Sequence, residues 1–268
     1  MIYRQIELPT AESLKVHYPI RYRNPLKTPV QLNVHDNLIE ITAYLEFPDN
    51  LLVPYENLPD PEKGDKKHFD ILLSEKPEGF TFADAACDGI TRNWTGSFYR
   101  KWFTGKFETK VKIIRKDDPN AQYEKGQRFV KVKFAPWYAP SSFVMSSPWR
   151  WFWGLFYCGS LESFTLNWSP SFPGTINMKK YKTLSRFEQV AAHEFGHILG
   201  IGDAYDAWYR FFYQMKGVST YMMCYNRKVQ NEEIEMVLRA HLTRRMQFFP
   251  YKFNIKTIAK GLKETFKH

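Results

Sequence analysis

His193-Glu194-Phe195-Gly196-His197-Ile198-Leu199-Gly200-Ile201-Gly202-Asp203 is the stretch on which the reading of this chain turns. It has the form H-E-x-x-H-x-x-G-x-x-D. Two histidines four residues apart stand on one face of a helix, one turn above the other. That spacing brings both imidazoles to one Zn²⁺ at about 2.0–2.1 Å, with the carboxylate of Glu194 turned toward a metal-activated water. Gly200 is able to take a positive φ and end the helix, so that the chain turns back and delivers Asp203 as a third ligand. The helix itself is expected to open at Ser185-Arg186-Phe187-Glu188, a capping box in which Ser185 caps backbone N–H groups and Glu188 reaches back. Val190, Phe195, Ile198 and Leu199 supply its apolar positions.

Downstream, Thr220-Tyr221-Met222-Met223-Cys224-Tyr225 comes a short distance after the motif. With these residues the chain resembles the metzincin zinc peptidases, in which a methionine-containing turn lies beneath the metal. Asp in place of the usual third His resembles the snapalysin branch of that group. Met223 matches the turn methionine best, because Tyr225 then falls two residues later, as in astacin- and serralysin-like members; Met222 is the other register. The resemblance spans roughly residues 68–247 and is specific over 185–225. It implies a zinc endopeptidase in which His193, His197 and Asp203 hold the metal and Glu194 is the general base. It also implies that Tyr225 stabilises the oxyanion or serves as a switchable extra ligand, and that an extended peptide pairs with an edge strand near Ser163–Ser169.

The rest of the chain is expected to supply an α+β frame. At 268 residues, with 44% hydrophobic and 17% aromatic residues, it has ample material for a core. Val30–Val34 and Leu38–Phe47 flank His35-Asp36-Asn37 as a hairpin, and Pro48, Pro54, Pro59, Pro61 and Gly64 punctuate a polar connection after it. This predicts an N-terminal β-rich extension over 1–60 and a catalytic domain over 61–268. Within the latter, His68–Leu73 reads as a strand and Thr81-Phe82-Ala83-Asp84 as the start of a helix. Residues 106–115 and 128–134 alternate apolar and basic residues, as half-buried strands do, and 164–168 and 174–178 read as two shorter ones. Asn231 caps a last helix bearing Ile234, Val237, Leu238 and Leu242. The order strand, helix, four strands, zinc helix, methionine turn, helix is that of the metzincin fold, a mixed twisted sheet carrying the zinc-site helix and a C-terminal helix. The aromatic run 149–157 is read as buried packing.

Other features bound the function. Cys87, Cys158 and Cys224 lack metal or redox spacing and are read as free thiols. His241 lies on the apolar side of the last helix and reads as a core histidine; His17, His35, His68 and His268 are not spaced to join the site. No apolar run reaches the length of a membrane span, and the N-terminus lacks the apolar core of a signal peptide. The chain as written is therefore expected in the cytoplasm, or secreted if a leader has been removed. Net charge is +10, and residues 206–268 hold twelve Lys or Arg against five Asp or Glu. Lys252–Lys267 is amphipathic, with Ile255, Ile258, Leu262 and Phe266 set against lysines. The expected role is a terminal helix docked by its apolar stripe, with weak contact to an anionic surface as the other reading. No nucleic-acid module accompanies the charge. The partner expected is a peptide or protein substrate. Two further classes remain open: a non-catalytic binding protein on a zincin scaffold, which would not need Glu194, and a zinc hydrolase of a small-molecule amide.

Overall fold

The structure, a computed structural model, describes residues 21–23, 27–35, 37–55, 75–99, 106–151, 153, 161 and 165–265. The protein is a mixed α+β molecule. Among the described residues its strands are β1 (Arg21–Arg23), β2 (Val30–His35), β3 (Leu38–Glu46), β4 (Gly96–Tyr99), β5 (Lys106–Arg115), β6 (Val130–Phe134), β7 (Phe143–Met145) and β8 (Thr175–Met178). The helices are α1 (Phe82–Trp94), α2 (Leu184–Ile198), α3 (Met222–Tyr225), α4 (Asn231–Thr243) and α5 (Ile255–Thr265). No helix among the described residues is long and apolar enough to cross a membrane.

One mixed sheet runs β1-β2-β3-β6-β8-β7, with β5 paired to β3 and β4 to β5. β3 pairs antiparallel with β2 (Leu32 opposite Ile41), parallel with β5 (Ile41 opposite Val111), and parallel with β6 at Leu45 and Glu46. Its buried side chains Ile39, Ile41, Ala43 and Leu45 join the same core as Phe187 and Phe195 of α2. Residues 30–46, which fall in the N-terminal β-rich extension expected over 1–60, are central to the sheet, because β3 satisfies the backbone groups of strands on both its sides. The strand expected at 68–73 lies outside the described residues.

Two other strand expectations meet different outcomes. Residues 106–115 form β5 and 130–134 form β6, with Val130 and Val132 buried and Lys131 and Lys133 exposed, as period-two alternation dictates. By contrast the described part of 164–168 is not a strand. Trp168 is committed to α2: its indole N–H donates to the Ile198 carbonyl at 2.9 Å, closing the helix's C-terminal end. The outer strand is β7, antiparallel to β8. Nor is the aromatic run at 149–157 wholly buried, since Trp149 and Trp153 are exposed while Trp151 donates to the Ser146 carbonyl.

α1 holds α2 in place. Thr81 caps α1 in a reciprocal box with Asp84, which suits the sequence reading. Gly89 allows the backbones to touch, because a Cβ there would collide with the main chain of Glu188. Trp94 then donates to the Ala192 carbonyl at 2.8 Å. α2 is capped two residues earlier than expected: Thr183, not Ser185, accepts the Arg186 N–H. Glu188 does not reach back, because it is fully buried and ion-paired with Arg92 and Lys76 of the α1 side.

Candidate metal centre

His193 and His197 stand one turn apart on α2, their rings 5.1 Å between centroids and both buried. The helix ends at Ile198, and Gly200 takes φ +94°. A glycine is required there on two counts, since a Cβ would also lie 2.6 Å from the Trp168 ring. The returning chain buries Asp203, and its Oδ1 lies 3.1 Å from His193 Nε2 and 3.4 Å from His197 Nε2. Among the described residues, His193, His197 and Asp203 are the group whose donor atoms converge, all within 4.8 Å of one another.

This group fits a metal ion. Donors about 2.05 Å from a tetrahedral ion lie about 3.3 Å apart, close to the two His–Asp separations. His193 Nδ1 donates to the Met222 carbonyl and His197 Nδ1 to the Ile201 carbonyl, each at 2.9 Å. Those bonds hold a ring proton on Nδ1, so that Nε2 is the nitrogen turned toward Asp203 and the one that would ligate an ion. Burial opposes charging His197, but the Asp203 carboxylate pushes it up to about 10. Burial likewise works against the Asp203 charge, yet the imidazoles hold its carboxyl well below the usual range. With both Nε2 protons released, two neutral imidazoles and the Asp203 carboxylate would make a donor set of net charge −1, suited to a cation.

Glu194 is buried beside these residues, and burial raises its carboxyl above the ordinary range against the pull of the two histidines. Its Oε2 has no hydrogen-bond partner among the described residues. A buried carboxylate oxygen without a partner is costly, so this atom is placed for a proton or a water.

Met223 is fully buried on α3, and its sulfur occupies the space that a side chain at Gly196 would need. It thus sits against the helix turn between the two histidines. Two residues not anticipated complete the support. Glu233, the third residue of α4, accepts the Met223 N–H at 2.8 Å, Met222 N–H at 3.2 Å and Gln230 N–H at 2.8 Å. This clamps the turn whose Met222 carbonyl orients His193. Tyr209 donates to Asp203 Oδ2 at 2.5 Å and lies 2.9 Å from the Tyr205 hydroxyl. Asp206 is exposed, and Glu233 is committed to backbone amides, so neither joins this group. Gln230, rather than Asn231, caps α4.

Tyr225, expected to stabilise the oxyanion or serve as an extra ligand, stands at the end of α3. It is exposed, and its hydroxyl donates to Gln214 Oε1 at 3.1 Å. A cavity of about 360 Å³ opens between α2 and the segment after Met223, lined by Arg186, Gln189, Cys224, Tyr225, Asn226 and Arg227 and by none of His193, Glu194, His197 and Asp203. Gln189 stands one helical turn before His193, and Arg186 about two. Cys224 and Cys87 are free, and burial pushes their thiols up to about 11 and about 12, out of nucleophilic range. Cys158 lies outside the described residues, as do His17, His68 and His268; His35 is exposed at the end of β2. His241 is buried with its ring edge-on to Trp168 at 5.4 Å. Comparison with known proteins adds no relative: no family model matches the sequence, and no curated protein or solved structure matches it.

Proposed function

We propose that this protein is a zinc-dependent endopeptidase on a metzincin-like scaffold. The observation that carries the reading is the convergence of His193, His197 and Asp203 beside the buried, partnerless oxygen of Glu194. The order of elements supports it: β3, α1, further strands, the α2 motif helix, the Met223 turn and α4 succeed one another as in that family. Two imidazoles and one carboxylate form a donor set of the kind that catalytic zinc takes, with a coordination position left over. A zinc ion held there would supply Lewis acidity toward a scissile carbonyl and toward water. The protein's own work is then the transfer of a proton. Glu194, raised by burial, takes it from the attacking water and passes it to the departing amine. The cavity between α2 and the segment after Met223 offers space for a residue of the substrate adjoining the cleaved bond.

The test is a zinc-supplemented preparation given a denatured mixed-protein substrate, with and without chelator, beside Glu194→Gln. The variant is expected to keep its fold and close to one zinc per chain while losing hydrolysis by about 10²–10⁴-fold. Near-normal turnover in Glu194→Gln would move the base to another residue. A parent protein that holds zinc but cleaves nothing would favour a binding role on the same scaffold.

A further inference from the structure

We propose that α5 is a membrane-surface helix, which lays Ile255 and Leu262 into the interface of an anionic bilayer beside a row of lysines. The helix docks on the body by only part of its circumference. Gly261 is buried against the Phe212 ring, and α5 packs on the 3₁₀ turn Trp208–Arg210. The close fit at Gly261 fixes the rotation of the helix, because a Cβ there would overlap Phe212. With that face inward Ile258 is half-buried, while Ile255 is 73% exposed and Leu262 43%. Of the stripe expected to dock on the body, these last two residues face outward.

At about 100° per residue, Ile255, Ala259 and Leu262 share an arc of about 60°. Lys256, Lys260 and Lys263 occupy the adjoining arc, and all three are exposed. Nearby aromatics add to the apolar surface: Phe253 is 53% exposed just before the helix, with its ring against Phe211, and Trp208 is 66% exposed on the turn beneath. Among the described residues the only acidic partner on the helix is Glu264, 3.8 Å from Lys260.

An apolar strip bordered by lysines matches the two layers of a bilayer surface, acyl chains and anionic headgroups, with lysine stems reaching from one to the other. Charge complementarity selects the occupant. A second copy would set these lysines against their like, and nucleic acid would meet the lysines but leave the aliphatic strip in water.

The experiment is co-sedimentation of the full chain with vesicles of phosphatidylcholine alone and with about 30% phosphatidylserine. Binding to the anionic vesicles is expected to be at least roughly tenfold tighter and to weaken with salt. Ile255→Ser/Leu262→Ser is expected to lower it roughly tenfold at unchanged circular dichroism, and Lys256→Gln/Lys263→Gln to lower it while leaving the strip intact. The proposal is overturned if the parent ignores anionic vesicles at low salt, or if the serine variant binds as the parent does. Binding to duplex DNA without binding to vesicles overturns it as well.

Discussion

Tyr209 selects which oxygen of Asp203 faces the histidines. Its hydroxyl occupies Oδ2, so Oδ1 alone points between the two Nε2 atoms. Such outer partners fix the orientation of a ligand without touching the ion. Tyr209→Phe is therefore expected to weaken zinc binding about 10–100-fold, measured by competition with a chromophoric chelator. Asp203→Ala should weaken it much further and Asp206→Ala not at all; equal affinities for parent and Tyr209→Phe would remove this role. His193, Glu194, His197 and Asp203 are legible in the sequence because helical spacing and one glycine fix their relation. Tyr209 and Glu233 are not, because each arrives on a different segment and shows no periodicity relative to the motif. Tyr225 illustrates the converse. Its position in a motif is plain, but its hydroxyl is engaged by Gln214, which no local pattern announces.

At the scale of elements, helices are read well and their ends poorly. The caps lie at Thr183 rather than Ser185 and at Gln230 rather than Asn231, since neighbouring polar residues compete for the same few N–H groups. Where 164–168 reads as a strand, tertiary packing draws Trp168 onto the end of α2 instead. The contact between α2 and α4 carries a pH consequence through His241. Burial pushes this imidazole down to about 4, from an ordinary value of 6.5. The unfolded chain thus binds its proton first as pH falls, and stability is lost between pH 6.5 and 4. The loss attributable to His241 is about 3 kcal/mol once both values are passed. Chemical denaturation at pH 7 and pH 4 tests this. His241→Phe should cost some stability at pH 7 and regain most of the deficit relative to the parent at pH 4; parallel curves would show that His241 does not titrate in this range.

For the whole molecule, the sheet is centred on β3, a strand that the sequence sets apart from the part of the chain carrying the H-E-x-x-H motif. The hairpin β2–β3 is legible from its alternation and turn, whereas its parallel pairing with β5 and β6 depends on residues far along the chain. Ile41, fully buried between Leu32 and Val111, is the most direct probe. Ile41→Ala is expected to destabilise the protein by about 2–5 kcal/mol, and zinc retention should fall in step with unfolding in a denaturant titration. A chain whose site survives unchanged when the fold around Ile41 is lost would mean that residues 30–46 are dispensable. The position of β3 also governs how the protein comes into being on a ribosome. Its hairpin emerges early with one edge unpaired, and that edge waits until β5 and β6 have been made. At roughly 5–20 residues per second this interval lasts on the order of ten seconds, during which an apolar strand is open to pairing with other chains. The protein's yield in a cell should accordingly respond to translation speed and to chaperones that shield nascent strands, more than a helix-first fold of the same size would.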